Sequence, residues 1–282
     1  MNEIEIKRPA PAARPPVARG SSFYLAMRIL PPEQRQAMYE IYAFCRAVDD
    51  IADDGGPRAS RIVMLDRWRA DLARLYAGEG TTTLTEGLYG PIKMFGLKQE
   101  DFLAIIAGME MDVRRNIQAP DWEALDLYCD RVASAVGRLS IRIFGIEEEK
   151  GRLLSHHLGR ALQMTNILRD LDQDARMDRL YLPKEVLTNA GIADRDIGKV
   201  LASPRIGEAC VALVTRARRH FTVASSVMKR CKRESVRSPR IMASVYRALL
   251  EQLVKRGWAA PRTDVRPSKL QFLWAVLMYG IM

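Results

Sequence analysis

The sequence predicts a single all-α domain, a helical bundle with a central cavity, and three observations carry that prediction. Apolar residues recur at steps of three and four over most of the chain, which is the spacing of a helix face turned toward a core. No alternation of apolar and polar residues longer than a few positions marks a strand. Glycine and proline punctuate the periodic segments, but no Pro/Gly/Ser-rich linker or internal repeat divides the 282 residues, so one layer architecture of helix on helix suffices.

Residues 1–20 are rich in Pro, Ala and Arg and are expected to form a disordered tail; the helical domain occupies 21–282. Residues 21–27 read as a short helix stopped near Pro31-Pro32, where proline also suits the first turn of the next helix. Over residues 34–53, Met38, Ile41, Cys45, Val48 and Ala52 form a core stripe. Asp54-Gly55-Gly56-Pro57 ends it, and 60–76 resumes with Ile62, Leu65, Trp68, Leu72 and Leu75. Helices follow over 85–95, 98–118 and 122–144, parted by Gly96 and by Ala119-Pro120. Residues 150–172 carry Leu154, Leu158, Ala161, Thr165 and Leu168 as a buried stripe, and a polar connector runs over 174–183. Two long basic helices are predicted over 205–230 and 239–256. Residues 270–282 are almost wholly apolar but fall short of the roughly 20 residues that cross a bilayer, so this segment packs on the protein or lies in a membrane surface.

At 48% hydrophobic residues the chain can bury a sizeable core. The formal charge of +10 fits nucleic acid, an anionic membrane or an anionic small substrate, and charge alone does not choose among them. Cys45, Cys129, Cys210 and Cys231 lack metal or redox spacing, which indicates a reducing compartment. The N-terminal stretch has no apolar run of signal-peptide type. The expected location is cytoplasmic, with peripheral contact at the inner membrane face. Oligomeric state is not legible in the sequence.

The informative residues are acidic. Gln163, Asn166, Asp170 and Asp174 share one helix face, and so do Tyr42, Arg46, Asp49 and Asp53. Like charges one turn apart destabilise a bare helix by roughly 0.2–0.5 kcal/mol per pair, so local stability is a poor reason for either doublet and a bound cation is a better one. Each stripe lies beside a core stripe, where a helix lines a cavity. Magnesium takes oxygen ligands, keeps several waters and is commonly shared between one or two carboxylates and substrate phosphates. Two such faces with Arg46 and Arg169 interleaved therefore suit a diphosphate, whose leaving is helped by metal acting as Lewis acid.

Other motifs carry less. His156-His157 has no carboxylate at metal-ligand spacing and reads as a satisfied pair. The 191–199 stretch has six residues between its glycines where a phosphate loop has four, and Val200 stands where Ser or Thr is needed. No Gly-x-Gly-x-x-Gly follows a strand. A di-iron oxidase would need Glu-x-x-His pairs on its helices, and neither acidic stretch contains a histidine. Nucleic-acid binding is suggested by charge alone, and no nucleic-acid partner is expected.

Tyr42, Cys45-Arg46 and Asp49-x-x-x-Asp53, followed by Gln163-x-x-Asn166-Ile-Leu-Arg-Asp170-x-x-x-Asp174 and by Asp178-Arg179-Leu180-Tyr181-Leu182-Pro183, resemble the squalene/phytoene synthase family. The resemblance covers roughly residues 21–270. Within the family, residues 20–31 and 128–140 are similar to the bacterial presqualene diphosphate synthases of hopanoid biosynthesis.

The resemblance implies an isoprenoid-synthase fold that joins two farnesyl diphosphates head to head, forming presqualene diphosphate and releasing diphosphate. It implies that Asp49, Asp53, Asp170 and Asp174, with Asn166, hold two or three magnesium ions. Arg46, Arg169 and Arg179 are then expected to grip diphosphate oxygens, and Tyr42, Gln163, Tyr181, Ser22 and Phe23 to shape the pocket near the reacting carbons. Aromatic faces that favour a carbocation are expected among Phe23, Tyr24, Tyr42, Phe44 and Tyr128. Many squalene synthases carry a second tyrosine just after the Tyr-Cys pair, where this chain has Asp130-Arg131; Tyr128, Tyr181 or the departing diphosphate is left to take the proton. NADPH is not expected. The same resemblance leaves open a phytoene synthase acting on geranylgeranyl diphosphate, and a squalene synthase that completes the NADPH-dependent reduction.

Overall fold

A computed structural model describes residues 26–266 and 269–280; the expected tail, the start of the first short helix and the candidate residues Ser22, Phe23 and Tyr24 lie outside them. Among the described residues the elements are helical. They are α1 (Pro32–Asp53), α2 (Arg58–Ala77), α3 (Glu86–Phe95), α4 (Gln99–Arg114), α5 (Trp122–Cys129), a π-helical turn (Asp130–Ser134) and α6 (Ala135–Ile143). They continue as α7 (Glu148–Arg169), α8 (Leu171–Arg176), α9 (Lys184–Asn189), α10 (Ile197–Ala202), α11 (Ile206–Lys229), α12 (Arg237–Arg256) and α13 (Lys269–Gly280).

The predicted stripes are the buried ones except at Cys45 and Ile62, which are half-buried. On α1, Met38, Ile41, Val48 and Ala52 are sealed, and on α7 so are Leu154, Leu158, Ala161, Thr165 and Leu168. α1 to α4 and α6 close one core around Phe44, Trp68 and Phe102. Phe44 meets both of those rings edge-on at 5.2 and 5.1 Å, so it is a core residue of this cluster. A second core joins α5 and α7 to α12 around Leu168, Phe221 and Leu249.

The two cores meet along the 122–143 run, which is helical throughout as its periodicity predicts but widens by a π turn at Asp130–Ser134. Both neighbouring helices come against that turn at a glycine. A Cβ on Gly108 of α4 would lie 2.6 Å from Val132 Cγ1, and one on Gly159 of α7 would lie 2.7 Å from the Ser134 backbone nitrogen. The backbone at Ser134 has no soft end to move aside, so Gly159→Ala is expected to cost about 1–3 kcal/mol of stability, read as an earlier denaturant midpoint at unchanged slope.

Three segments depart from the sequence expectation. α4 ends at Arg114, before the predicted 118, because the chain beyond it pairs with the connector: Leu180 donates to the Ile117 carbonyl at 2.7 Å and Ala119 to the Leu180 carbonyl at 2.8 Å. The helix predicted over 150–172 breaks at Asp170, whose φ and ψ of −99° and 13° leave the helical region. The Trp258 indole caps the Leu168 carbonyl at 3.1 Å and Arg262 holds Asp172 at 2.5 Å, which fixes the bend. The stretch discounted as a phosphate loop instead departs from loop structure at its end, where it enters the first turn of α10, capped by the Asp196 carboxylate on the Lys199 nitrogen.

Candidate active site

The C-terminal turns of α1 bring Arg46, Asp49 and Asp53 to the seam between the two cores. Arg46 bridges Asp49 at 2.8 Å and Asp50 at 2.5 Å, a spacing that one helical turn provides. Tyr42 lies one turn earlier, half-buried and packed against the α1 to α4 core.

The end of α7 supplies the opposing set. Arg169 binds Asp170 through two guanidinium nitrogens at 2.7 and 2.6 Å. Asp170 leaves the helix, yet its nitrogen still donates to the Asn166 carbonyl and the Asp174 nitrogen to the Asp170 carbonyl, both at 2.8 Å. The polar stripe therefore survives the bend. Gln163 sits half-buried one turn before Asn166. Tyr246 of α12 lies beside Arg169 and Asn166, a neighbour that nothing in the tyrosine's own sequence surroundings announced.

The connector closes the site. Asn116 donates to Asp178 at 2.9 Å and the connector's pairing to residues 117–119 sets its register. Asp178 takes a left-handed φ of 58°, a conformation that aspartate tolerates better than most residues. This turn sends Arg179 inward, where it bridges Asp53 at 2.7 Å and donates to the Ala52 carbonyl at 2.9 Å. The two acidic motifs, more than a hundred residues apart in sequence, are thus joined through one buried arginine.

Beneath Arg179 lies a carboxylate that sequence reasoning missed. Asp112 is 2% exposed; one oxygen accepts from Tyr181 at 2.8 Å and the other from Tyr128 at 3.0 Å. The two phenols touch at 3.2 Å and their rings stack at 4.8 Å. The signal was available: Asp112 falls seven residues after Ile105 and three after Met109, on the buried face of α4. An acid there needs partners.

The electrostatics of the site favour a cation. Burial and the nearby Asp53 push the Asp49 carboxyl up to about 6. Burial and Asp170 push Asp174 up to about 8, with Asp112 and Asp53 adding to it. Asn166 Oδ1 is buried with no hydrogen-bond partner. Crowded carboxylates that resist ionisation, beside an orphaned carbonyl oxygen, form an all-oxygen donor set of the kind a hard divalent cation satisfies. Each predicted arginine already lies against a motif aspartate, so three guanidinium groups stand within the same cluster.

An apolar cleft lies against the middle of α7. It is lined by Val136, Phe144, Leu158, Gly159, Leu162 and Met242, among others. Leu162 of that cleft lies one turn before Asn166, so α7 carries the apolar lining first and the polar end after it. From Leu158 to Asn166 the helix rises about 12 Å.

Of the predicted residues, Arg46, Asp49, Asp53, Asn166, Arg169, Asp170, Asp174, Arg179 and Tyr181 converge at the seam, Tyr128 lies beneath it beside Tyr181, and Tyr42 and Gln163 occupy the adjoining turns of α1 and α7. Residues 17–271 match the family model for squalene/phytoene synthase. A presqualene diphosphate synthase from Rhodopseudomonas palustris is 54% identical over 273 residues, covering 97% of this chain and 98% of that protein. One from Sinorhizobium fredii is 51% identical over 265 residues, covering 94% and 95%. The crystal structure of squalene synthase HpnC from Alicyclobacillus acidocaldarius superposes with a TM-score of 0.76 at 30% identity, covering 84% of this chain and 89% of that one.

Proposed function

The chain belongs to the squalene/phytoene synthase family, and from that premise we propose that it joins two farnesyl diphosphates head to head, releasing diphosphate and forming presqualene diphosphate for squalene and hopanoid synthesis. The observation that carries this reading is that α7 lines an apolar cleft at Leu158 and Leu162 and ends, from one turn later, in the Asn166 and Asp170 side of a double aspartate cluster. One end suits a prenyl chain and the other its diphosphate.

The family processes prenyl diphosphates with divalent metal. Asp49, Asp53, Asn166, Asp170 and Asp174 would hold two or three magnesium ions, which when bound supply Lewis-acid pull on the leaving diphosphate. Arg46, Arg169 and Arg179 bind diphosphate oxygens, with the planar two-pronged geometry that suits guanidinium groups. Leu158, Leu162, Phe144 and Met242 keep water from the allylic cation, while Tyr42 and Gln163 shape the space around the reacting carbons. The double bond of the second farnesyl group attacks that cation. Closing the cyclopropane expels a proton, which passes to Tyr181 Oη as the Tyr181 proton moves to Asp112 Oδ1. The 2.8 Å bond between those two groups supports this route, and so does the burial that raises the Asp112 pKa against the pull of Arg179 and the two phenols. No reducing cofactor takes part.

The C-terminal helix supports a peripheral membrane role. On α13, Leu273, Trp274 and Leu277 are 59, 57 and 57% exposed, whereas Ala275 is buried against α12. Among the described residues no helix is long and apolar enough to cross a membrane. The outward face therefore docks onto an anionic lipid surface, helped by the net charge of +10. The protein is expected to float with anionic vesicles, and replacing all three side chains with serine to weaken partitioning by at least about tenfold. A native protein left entirely at the bottom of the gradient would contradict this.

Product analysis tests the reaction itself. The purified chain, given magnesium and either the C15 or the C20 diphosphate, is expected to yield presqualene diphosphate from the C15 substrate, with the same product whether or not NADPH is added. Exclusive use of the C20 substrate would overturn the assignment, and NADPH-dependent conversion to squalene would overturn the stopping point.

A further inference from the structure

All three histidines of the chain converge at one place away from the aspartate seam. His156 and His157 lie on α7, nine or more residues before Asn166, about 14 Å of helix rise, and His220 reaches them from α11. The Nδ1 atoms of His157 and His220 are 2.9 Å apart. The His156 ring stands edge-on to His157 at 4.8 Å, and one potential donor atom of each histidine lies within 4.8 Å of the others. A single shared hydrogen accounts for the close His157–His220 pair. It leaves unexplained why the third imidazole turns toward the same point.

Zinc bonds imidazole nitrogen at about 2.0–2.1 Å in tetrahedral sites, so its ligands lie about 3.3 Å apart. The close pair nearly meets that spacing, and a rotation of the His156 ring supplies the third ligand. His156 and His157 also line an open groove with Asp130, Arg138 and Arg142, leaving the fourth position to water. The surrounding charge permits a cation. Arg160 is held by Asp126 at 2.7 Å through two nitrogens and by Asp130 at 3.2 Å, and Arg138 is held by Asp101 and Asp130. Arg219 is felt at His157, and Arg152 and Arg230 line the groove beside Asp130, Glu148 and Glu149. Burial and neighbouring charge lower all three histidines, His220 to about 4, so the rings are neutral ligands at pH 7.

We propose that His156, His157 and His220 bind one zinc ion that clamps α7 to α11, separately from the diphosphate site. The test uses the untagged full-length chain, stripped by chelation and titrated with zinc in excess magnesium, with cobalt as the spectroscopic substitute. The expected result is one zinc per chain, a visible cobalt band of four-coordinate intensity, and a melting temperature raised by about 5 °C at a hundredfold excess over Kd. His157→Gln and His220→Gln should each abolish the band and the shift, with His156→Gln as the groove-side variant least able to disturb folding. Asp170→Asn should keep both. Absence of zinc binding, binding indifferent to all three histidine variants, or binding lost in Asp170→Asn would overturn the proposal.

Discussion

Asp174→Asn is expected to reduce turnover about a thousandfold while making the metal-free protein slightly more stable. The loss follows from the several kcal/mol of transition-state charge stabilisation that a bound divalent cation supplies, of which about 4 kcal/mol is a thousandfold in rate. The gain follows from the site's own repulsion: Asp174 is buried and feels Asp170, Asp112 and Asp53, with Arg179 the cation that partly offsets them. A carboxyl pushed up to about 8 must take up a proton on folding at neutral pH, and a neutral amide removes that cost. The other motif acids are not equivalent. Asp170 is doubly bonded to Arg169 and Asp49 is bridged to Arg46, so Asp170→Asn and Asp49→Asn should lose activity without the same stabilisation. Steady-state kinetics in saturating magnesium, with chemical denaturation in chelator, measure both halves. Turnover within a few-fold of native in Asp174→Asn would remove it from the metal set.

Tyr181→Phe and Asp112→Asn are each expected to slow turnover about a hundredfold, the lower range of a positioned proton acceptor, and the double variant to be no worse than the slower single one. Asp112 accepts from Tyr181 and Tyr128 at once, so an amide there must turn a donor toward one phenol and strands a buried group, at a cost of about 1–3 kcal/mol. Tyr181→Phe leaves the Tyr128 bond in place and should cost less stability. That contrast separates proton transfer from simple support: a supporting role predicts that activity loss follows stability loss, whereas a relay predicts equal kinetic defects at unequal stability. Multiplicative losses in the double variant would assign the proton to another acceptor, such as the departing diphosphate.

Much of this arrangement was legible in residue spacing. The stripes of α1 and α7 announce both buried faces, and the carboxylates beside them mark where a cavity must be lined. What spacing does not carry is where two distant segments meet. The break at Asp170 depends on Trp258 capping Leu168, the inward turn of Arg179 depends on pairing with residues 117–119, and Tyr246 comes beside Arg169 and Asn166 from a helix some eighty residues away. Asp112 was hidden because an acid on a core stripe reads as a lapse in the pattern until its two phenols are seen. His220 lies 63 residues beyond His157, so no short motif could join them. Gln163 and Tyr42 keep the helix positions assigned to them.

The central claim is that one diphosphate is held between the two aspartate clusters through divalent ions, with its prenyl chain along Leu162 and Leu158. Crystals grown with magnesium and an unreactive thiolo analogue of farnesyl diphosphate test it most directly. Metal density is expected between Asp49, Asp53 and the set Asn166, Asp170 and Asp174, with Arg46, Arg169 or Arg179 on the diphosphate oxygens. Diphosphate bound elsewhere, with both clusters free of metal, would contradict it.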